Sequence, residues 1–192
     1  MSGFIHWYEG DWSTWRAGRT VARIESLGLN LSEQIGLPEE TVLSEQDAQR
    51  HALLTRLALT RTRTVDVAYR LDDRTALHCR FRRVDEDIVV QEFDLDGLST
   101  IERNQLVRGI IELFGDDPAS TVGFVADRSG RSEDVDWDDV VLGHPRIITV
   151  RPDMLALPTP LVDQLHPELY LLVGSRLGAL TVYDRTNLLA EV

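Results

Sequence analysis

Three runs between residues 65 and 95 alternate apolar and polar side chains. Val65, Val67, Tyr69 and Leu71 alternate with Asp66, Ala68 and Arg70; Leu77, Cys79 and Phe81 alternate with His78, Arg80 and Arg82; Ile88 to Leu95 forms the third run. A period of two predicts half-exposed antiparallel strands, joined first by a turn at Asp72-Asp73-Arg74. The solvent face is predicted to carry Arg70, His78, Arg80 and Arg82, with Glu92 opposite. Cys79 then falls on the apolar face, away from its neighbour His78, so the two form no catalytic pair.

After Leu95 the period lengthens to that of a helix. Ser99-Thr100-Ile101-Glu102 is a capping box, in which the serine hydroxyl and the glutamate carboxylate each accept a backbone N–H. Ile101, Leu106, Val107, Ile110, Ile111, Leu113 and Phe114 form the apolar stripe, and Gly115 and Pro118 predict the stop. A second principal helix is predicted from Ser44 to about Leu59, with His51 as a packing residue. A weaker one runs from Trp12 to Leu27, capped by Asp11 and interrupted by Gly18, with Trp12 and Trp15 on one side.

Other strands are expected at Phe4 to Tyr8, Thr121 to Asp127, Val135 to Leu142, Ile147 to Val150, Leu169 to Val173 and Leu180 to Tyr183. Val135 to Leu142 is read as a hairpin partner beyond the turn at Asp127 to Arg131, with Trp137 facing inward. Ser32 to Leu43 reads as a connection, and the prolines between Met154 and Pro167 leave room for one helical turn at most. The pattern describes an α+β fold: a mainly antiparallel sheet of short strands with two principal helices packed on it. One domain over residues 1–192 is expected, with an aromatic segment, 1–43, packing on the body.

Charge alters the picture. The 192 residues carry a net charge of −12, and all the basic residues are arginine. Schiff-base and P-loop lysine chemistry are therefore unavailable. From Arg50 to Arg83 nine arginines face three aspartates, whereas from Asp85 to Asp139 sixteen acids face four arginines. An acidic whole argues against general binding to nucleic acid. The single cysteine excludes an internal disulfide, no run approaches the length of a membrane span, and the N-terminus shows no export pattern; a cytoplasmic protein is the expectation.

Candidate chemistry centres on Phe93-Asp94-Leu95-Asp96-Gly97. Asp94-x-Asp96-Gly97 resembles the first motif of the haloacid-dehalogenase-like phosphatases, and Gly115-Asp116-Asp117 resembles that family's downstream acidic motif. The resemblance implies a Mg²⁺-dependent phosphohydrolase, with Asp94 as nucleophile and metal ligand, Asp96 as acid/base, and Asp116 and Asp117 as metal ligands. The preceding strand departs from that pattern, since Gln91 and Glu92 interrupt what should be a continuously apolar run. The family's lysine is missing too. The same residues suffice to turn a strand into a helix without chemistry.

The other acidic cluster is Glu133-Asp134-Val135-Asp136-Trp137-Asp138-Asp139. As an EF-hand loop it fails, because Asp139 stands where glycine is needed and Pro145 where glutamate is needed. On a strand, Asp134, Asp136 and Asp138 would form an acidic stripe. Nucleotide-binding and zinc-protease motifs are lacking, and no metal or cofactor is implied. The expectation is a non-enzymatic interaction protein of inhibitor or immunity type that occludes a basic protein partner. Asp116, Asp117, Glu133, Asp134, Asp136, Asp138 and Asp139 would carry the contact, and Trp137, or Trp12 and Trp15, would anchor it. The alternatives are the phosphohydrolase at Asp94 and Asp96 and a homo-oligomer subunit using its N-terminal aromatics.

Overall fold

The computed structural model describes residues 2–34, 54–56, 64–71, 75–117, 119–165 and 174–186. Nine strands form one antiparallel sheet in the order β2-β3-β4-β5-β1-β6-β7-β9-β8. They are β1 (Phe4–Glu9), β2 (Asn30–Gln34), β3 (Val65–Arg70), β4 (Ala76–Arg83), β5 (Val89–Asp94), β6 (Thr121–Asp127), β7 (Met154–Pro158), β8 (Gly174–Leu177) and β9 (Leu180–Asp184). The helices lying wholly among the described residues are α1 (Thr14–Ser26), α2 (Thr100–Asp116), α3 (Trp137–Val141) and α4 (Thr159–Leu165). The expected α+β architecture with an antiparallel sheet is the observed one.

The short aromatic strand β1 is the centre of the sheet, paired with β5 on one side and β6 on the other. Its side chains are shared between two cores. Ile5 and Trp7 face the core beneath α1 and α2, while Phe4 and Tyr8 face a second core with Trp137, Val140 and Val141 of α3. The strand alternates without a polar face because both faces are covered.

α1 packs through Ala17, Thr20, Val21 and Ile24, spaced as one helical stripe. It begins two residues later than the tryptophans suggest. Ser13 is the cap, its hydroxyl accepting from the Arg16 N–H at 3.2 Å. Trp12 therefore lies before the helix and packs on Phe81, centroids 6.0 Å apart, while Trp15 projects outward at 65% exposure. The two do not share a side.

The capping box on α2 forms as expected, Ser99 N–H donating to Glu102 at 2.7 Å. Ile101 leaves the stripe, at 70% exposure, because it occupies the first turn, before the helix meets the sheet. Gly115 does not end the helix. Its φ stays out of the left-handed region, and the helix runs on to Asp116 with Asp117 as C-cap.

Five more expectations are corrected. Val135 to Leu142 is no strand: Asp136 accepts from Asp139 N–H as an N-cap, and Trp137, Val140 and Val141 sit at helical spacing on the second core. Gly123 of β6 permits this approach, since a Cβ there would lie 2.7 Å from the Val141 side chain. Ile147 to Val150 pairs with no strand, because both sides of β6 are taken by β1 and β7; Ile148 alone enters the core. Met154 to Pro158, expected to hold at most a helical turn, is a strand buried on both faces, with Pro158 at its end. Residues 32–34, the start of the expected connection, belong to β2, and residues 174–177, between two expected strands, form β8. The helix expected over 44–59 lies outside the described residues apart from helical 54–56, as do the turn at 72–74 and the strand at 169–173.

Beneath α1 lies one buried carboxyl. Glu9 Oε2 accepts from Thr20 Oγ1 at 2.7 Å and from Gln91 Nε2 at 2.6 Å, and Arg23 stands 3.8 Å from Oε1. Burial raises its pKa above the ordinary 4.5, outweighing those bonds and the charges of Arg23 and Arg16. The folded state then holds the Glu9 proton more tightly than the unfolded chain. Its contribution to stability is present below pH 4.5 and is lost as pH rises through the raised folded value. Glu9→Gln is expected to remove that component, so urea midpoints of parent and variant should diverge in the variant's favour between acid and neutral pH. Parallel pH profiles would contradict this.

Candidate functional site

The second core covers β5, β1, β6, β7 and β9, but not the outward face of β3 and β4. Asp66, Arg70, His78 and Arg80 stay exposed there. At the boundary between covered and bare sheet is a cavity of about 680 Å³. Its polar lining includes His6, Asp66, His78, Arg80, Glu92, Asp94 and Glu133, with Ser2, Phe4 and Arg56 at its edges.

Strand register builds this basin in two rows. In the first, Asp66, Arg80, Glu92 and His6 stand directly opposite one another across β3, β4, β5 and β1. Acid and base alternate along it, and Arg80 Nε donates to Asp66 at 2.9 Å. In the second row Ala68, His78, Asp94 and Phe4 are opposed. Directly opposed side chains on such strands have Cβ atoms roughly 5 Å apart, close enough to act on one ligand.

Asp94 ends β5 and is exposed. Its Oδ1 accepts from the Asp96 N–H at 2.9 Å and from Ser2 Oγ at 2.5 Å. The first bond closes an Asx turn over 94–96, and Leu98 N–H donating to Leu95 O at 3.2 Å closes the next turn through Gly97, whose φ of +79° suits glycine. His6 is half-buried, its ring 4.7 Å from that of Phe4, and its Nδ1 is enclosed with no hydrogen-bond partner among the described residues. Burial lowers its pKa to about 4, Asp138 opposing and Arg82 adding to the effect. The imidazole is neutral at physiological pH.

Beside the basin a charged cluster fastens α3 to the sheet. Arg82 donates from Nη1 to Asp138 Oδ2 at 2.5 Å and from Nη2 to Asp138 Oδ1 at 3.1 Å, a two-pronged grip. Its Nη2 and Nε also reach Glu92 Oε1, at 2.5 and 3.0 Å. Tyr8 Oη donates to Asp138 Oδ1 at 3.0 Å; burial raises the tyrosine's pKa, and the Asp138 charge and hydrogen bond raise it further.

Most of the acids expected to meet a partner are engaged within the fold. Asp138 is held by Arg82 and Tyr8. Asp139 accepts from Arg146 Nε at 2.6 Å and lies 2.8 Å from His144 Nδ1. Those two contacts, led by His144, lower its pKa. Asp136 caps α3, and Asp117 accepts from Arg16 at 2.9 Å with Arg19 at 3.3 Å. Trp137 is buried, its Nε1 donating to Ser132 O, so it is no exposed anchor. Asp116, Glu133 and Asp134 are exposed, and of these Glu133 lines the basin. The acidic stripe does not form, because the segment is a turn and a helix.

The four carboxylates of the phosphatase resemblance are not brought together. Asp94 and Asp96 precede α2 and Asp116 and Asp117 end it, and its 17 residues span about 25 Å. β5 is moreover antiparallel to both neighbours. Among the described residues no group of three or more His, Cys, Asp or Glu side chains is placed to hold a metal ion. Comparisons with protein-family models, curated proteins and solved structures find no match. The site rests on its own geometry.

His6, His78, Arg80 and Phe4 were not singled out as site residues from the sequence. Alternation along β4 and β5 puts His78, Arg80, Glu92 and Asp94 on one face, and that signal was legible. The arrival of β1 beside β5, more than eighty residues away in the chain, was not.

Proposed function

We propose that the protein is a non-enzymatic interaction module that takes a cationic group of a protein partner into the basin between β3, β4, β5 and β1. One observation supports this above others. The basin is lined by four carboxylates, Asp66, Glu92, Asp94 and Glu133, against two guanidiniums, Arg56 and Arg80. Arg80 answers Asp66, and Arg82 answers Glu92 from beside the basin. Asp94 and Glu133 remain as exposed acids at the opening. A recess lined by more carboxylates than guanidiniums attracts a positive group and raises its rate of encounter.

Cationic, neutral and anionic peptides of equal length, titrated calorimetrically at low salt, test the reading. Only the cationic peptide should bind, and added salt should weaken it. Asp94→Asn with Glu133→Gln should cost about tenfold in affinity. The same charge change on α2, Glu112→Gln with Asp116→Asn, should cost much less. Equal losses from both pairs would make the attraction a property of net charge and not of the basin.

A further inference from the structure

We infer that the cation the basin selects is an arginine side chain, in preference to lysine; this rests on the reading of the basin as a cation site. The second cross-strand row carries the inference. It runs from the His78 imidazole through the Asp94 carboxylate to the Phe4 ring, one residue from each of three adjacent strands. His6 stands beside Phe4 on the same strand face, ring centroids 4.7 Å apart and planes inclined at 40°. The carboxylate thus stands in register between two flat rings.

That composition suits a guanidinium. It is planar, stacks on ring faces, and presents paired N–H donors to one carboxylate, whereas an ammonium is a compact and strongly hydrated charge that gains little from stacking. Both hydrogen bonds to Asp94 land on Oδ1, from Ser2 and from the Asp96 N–H, and they fix the orientation of the carboxylate. An orientation held in advance favours a donor with fixed fork geometry over three freely rotating ones. The neutral His6 adds no repulsion. The same face already makes this contact within the chain, where Arg82 forks onto Asp138. An arginine presented on a loop or strand end of a partner could reach Asp94, since that residue is exposed at the end of β5.

Fluorescence anisotropy with two labelled peptides of equal length and charge, hexa-arginine and hexa-lysine, decides the matter on the full chain. The arginine peptide should bind about tenfold more tightly. Asp94→Asn should abolish the difference, and Phe4→Leu, which keeps apolar bulk but removes the ring, should reduce it. Glu112→Gln, an equal charge change on α2, should leave it intact. Equal binding of both peptides that still falls on Asp94→Asn overturns the arginine assignment and leaves the cation site standing. Binding of neither peptide overturns both. Circular dichroism of each variant shows whether a lost preference reflects the site or a lost fold, and Ser2→Ala, which removes only the hydroxyl bonded to Asp94 Oδ1, gives a second route to loosening Asp94 if Phe4→Leu fails to fold.

Discussion

Trp7→Ala is expected to destabilise the protein by about 3–5 kcal/mol, the range for removing a large aromatic from a core that cannot collapse around the gap. Trp7 is fully buried on β1, the strand with neighbours on both sides. Its removal empties the space beneath α1 and α2. It also deprives Thr121 Oγ1 of the indole N–H at 3.1 Å and takes away the ring beneath Arg23, 5.4 Å from the guanidinium carbon. A buried hydroxyl left without its partner adds to the cost of the cavity. Chemical denaturation at matched m-values measures the effect. A loss below about 1 kcal/mol would mean that β1 is not the centre of the core.

Arg82→Ala is expected to cost about 2 kcal/mol, below the roughly 3–5 of breaking a fully buried pair, because water reaches part of the cluster. Arg82 retains 33% side-chain exposure, against 19% for Glu92 and 24% for Asp138. Without the guanidinium those two carboxylates face each other across a partly buried gap, with Tyr8 the remaining donor to Asp138. Desolvation works against the charge on Arg82, but its bonds to Asp138 and Glu92 outweigh it and keep the side chain protonated. Arg82→Lys should recover only part of the loss, since an ammonium cannot fork onto Asp138 while reaching Glu92. α3 should exchange its amide hydrogens faster in Arg82→Ala than in the parent. Unchanged exchange there would show that apolar contacts of Trp137, Val140 and Val141 suffice to hold the helix.

The cluster also explains why charge read along the chain misplaced the site. Asp136, Asp138 and Asp139 appear in sequence as an unrelieved acidic run, yet their counterparts Arg82 and Arg146 and the ring of His144 lie five to fifty-six residues away, in part on a strand. Within the run, Trp137 and Asp138 fasten α3 to the sheet, Asp136 caps the helix, and Asp139 is held by His144 and Arg146. The same folding that neutralised this run left Asp94 and Glu133 at the mouth of a recess. An acidic composition told only that uncompensated carboxylates must exist somewhere.

Local order was legible wherever neighbours in sequence are neighbours in space. The alternation of β3, β4 and β5, the capping box of α2 and the burial of Cys79 follow from side-chain period and from short-range hydrogen bonds, which one stretch of chain contains in full. Where period was ambiguous, tertiary contact decided. Val135-Asp136-Trp137-Asp138 alternates well enough for a strand, but the preceding strand β6 is paired on both sides, and the Asp136 cap with apolar residues at 137, 140 and 141 made the segment a helix on Tyr8 and Val125. Ile147 to Val150 found no partner strand among the described residues.

The sequence by itself determined the α+β character, the antiparallel hairpins, the position of α2 and the excess of acid over base. Only the tertiary structure decided that Phe4 to Glu9 is the central strand, that Asp94 stands between His78 and Phe4, and that Asp138 belongs to Arg82. The reason is physical: hydrophobic period and capping act within a few residues, whereas strand order and ion-pair partners are set by which distant faces bury most apolar surface together.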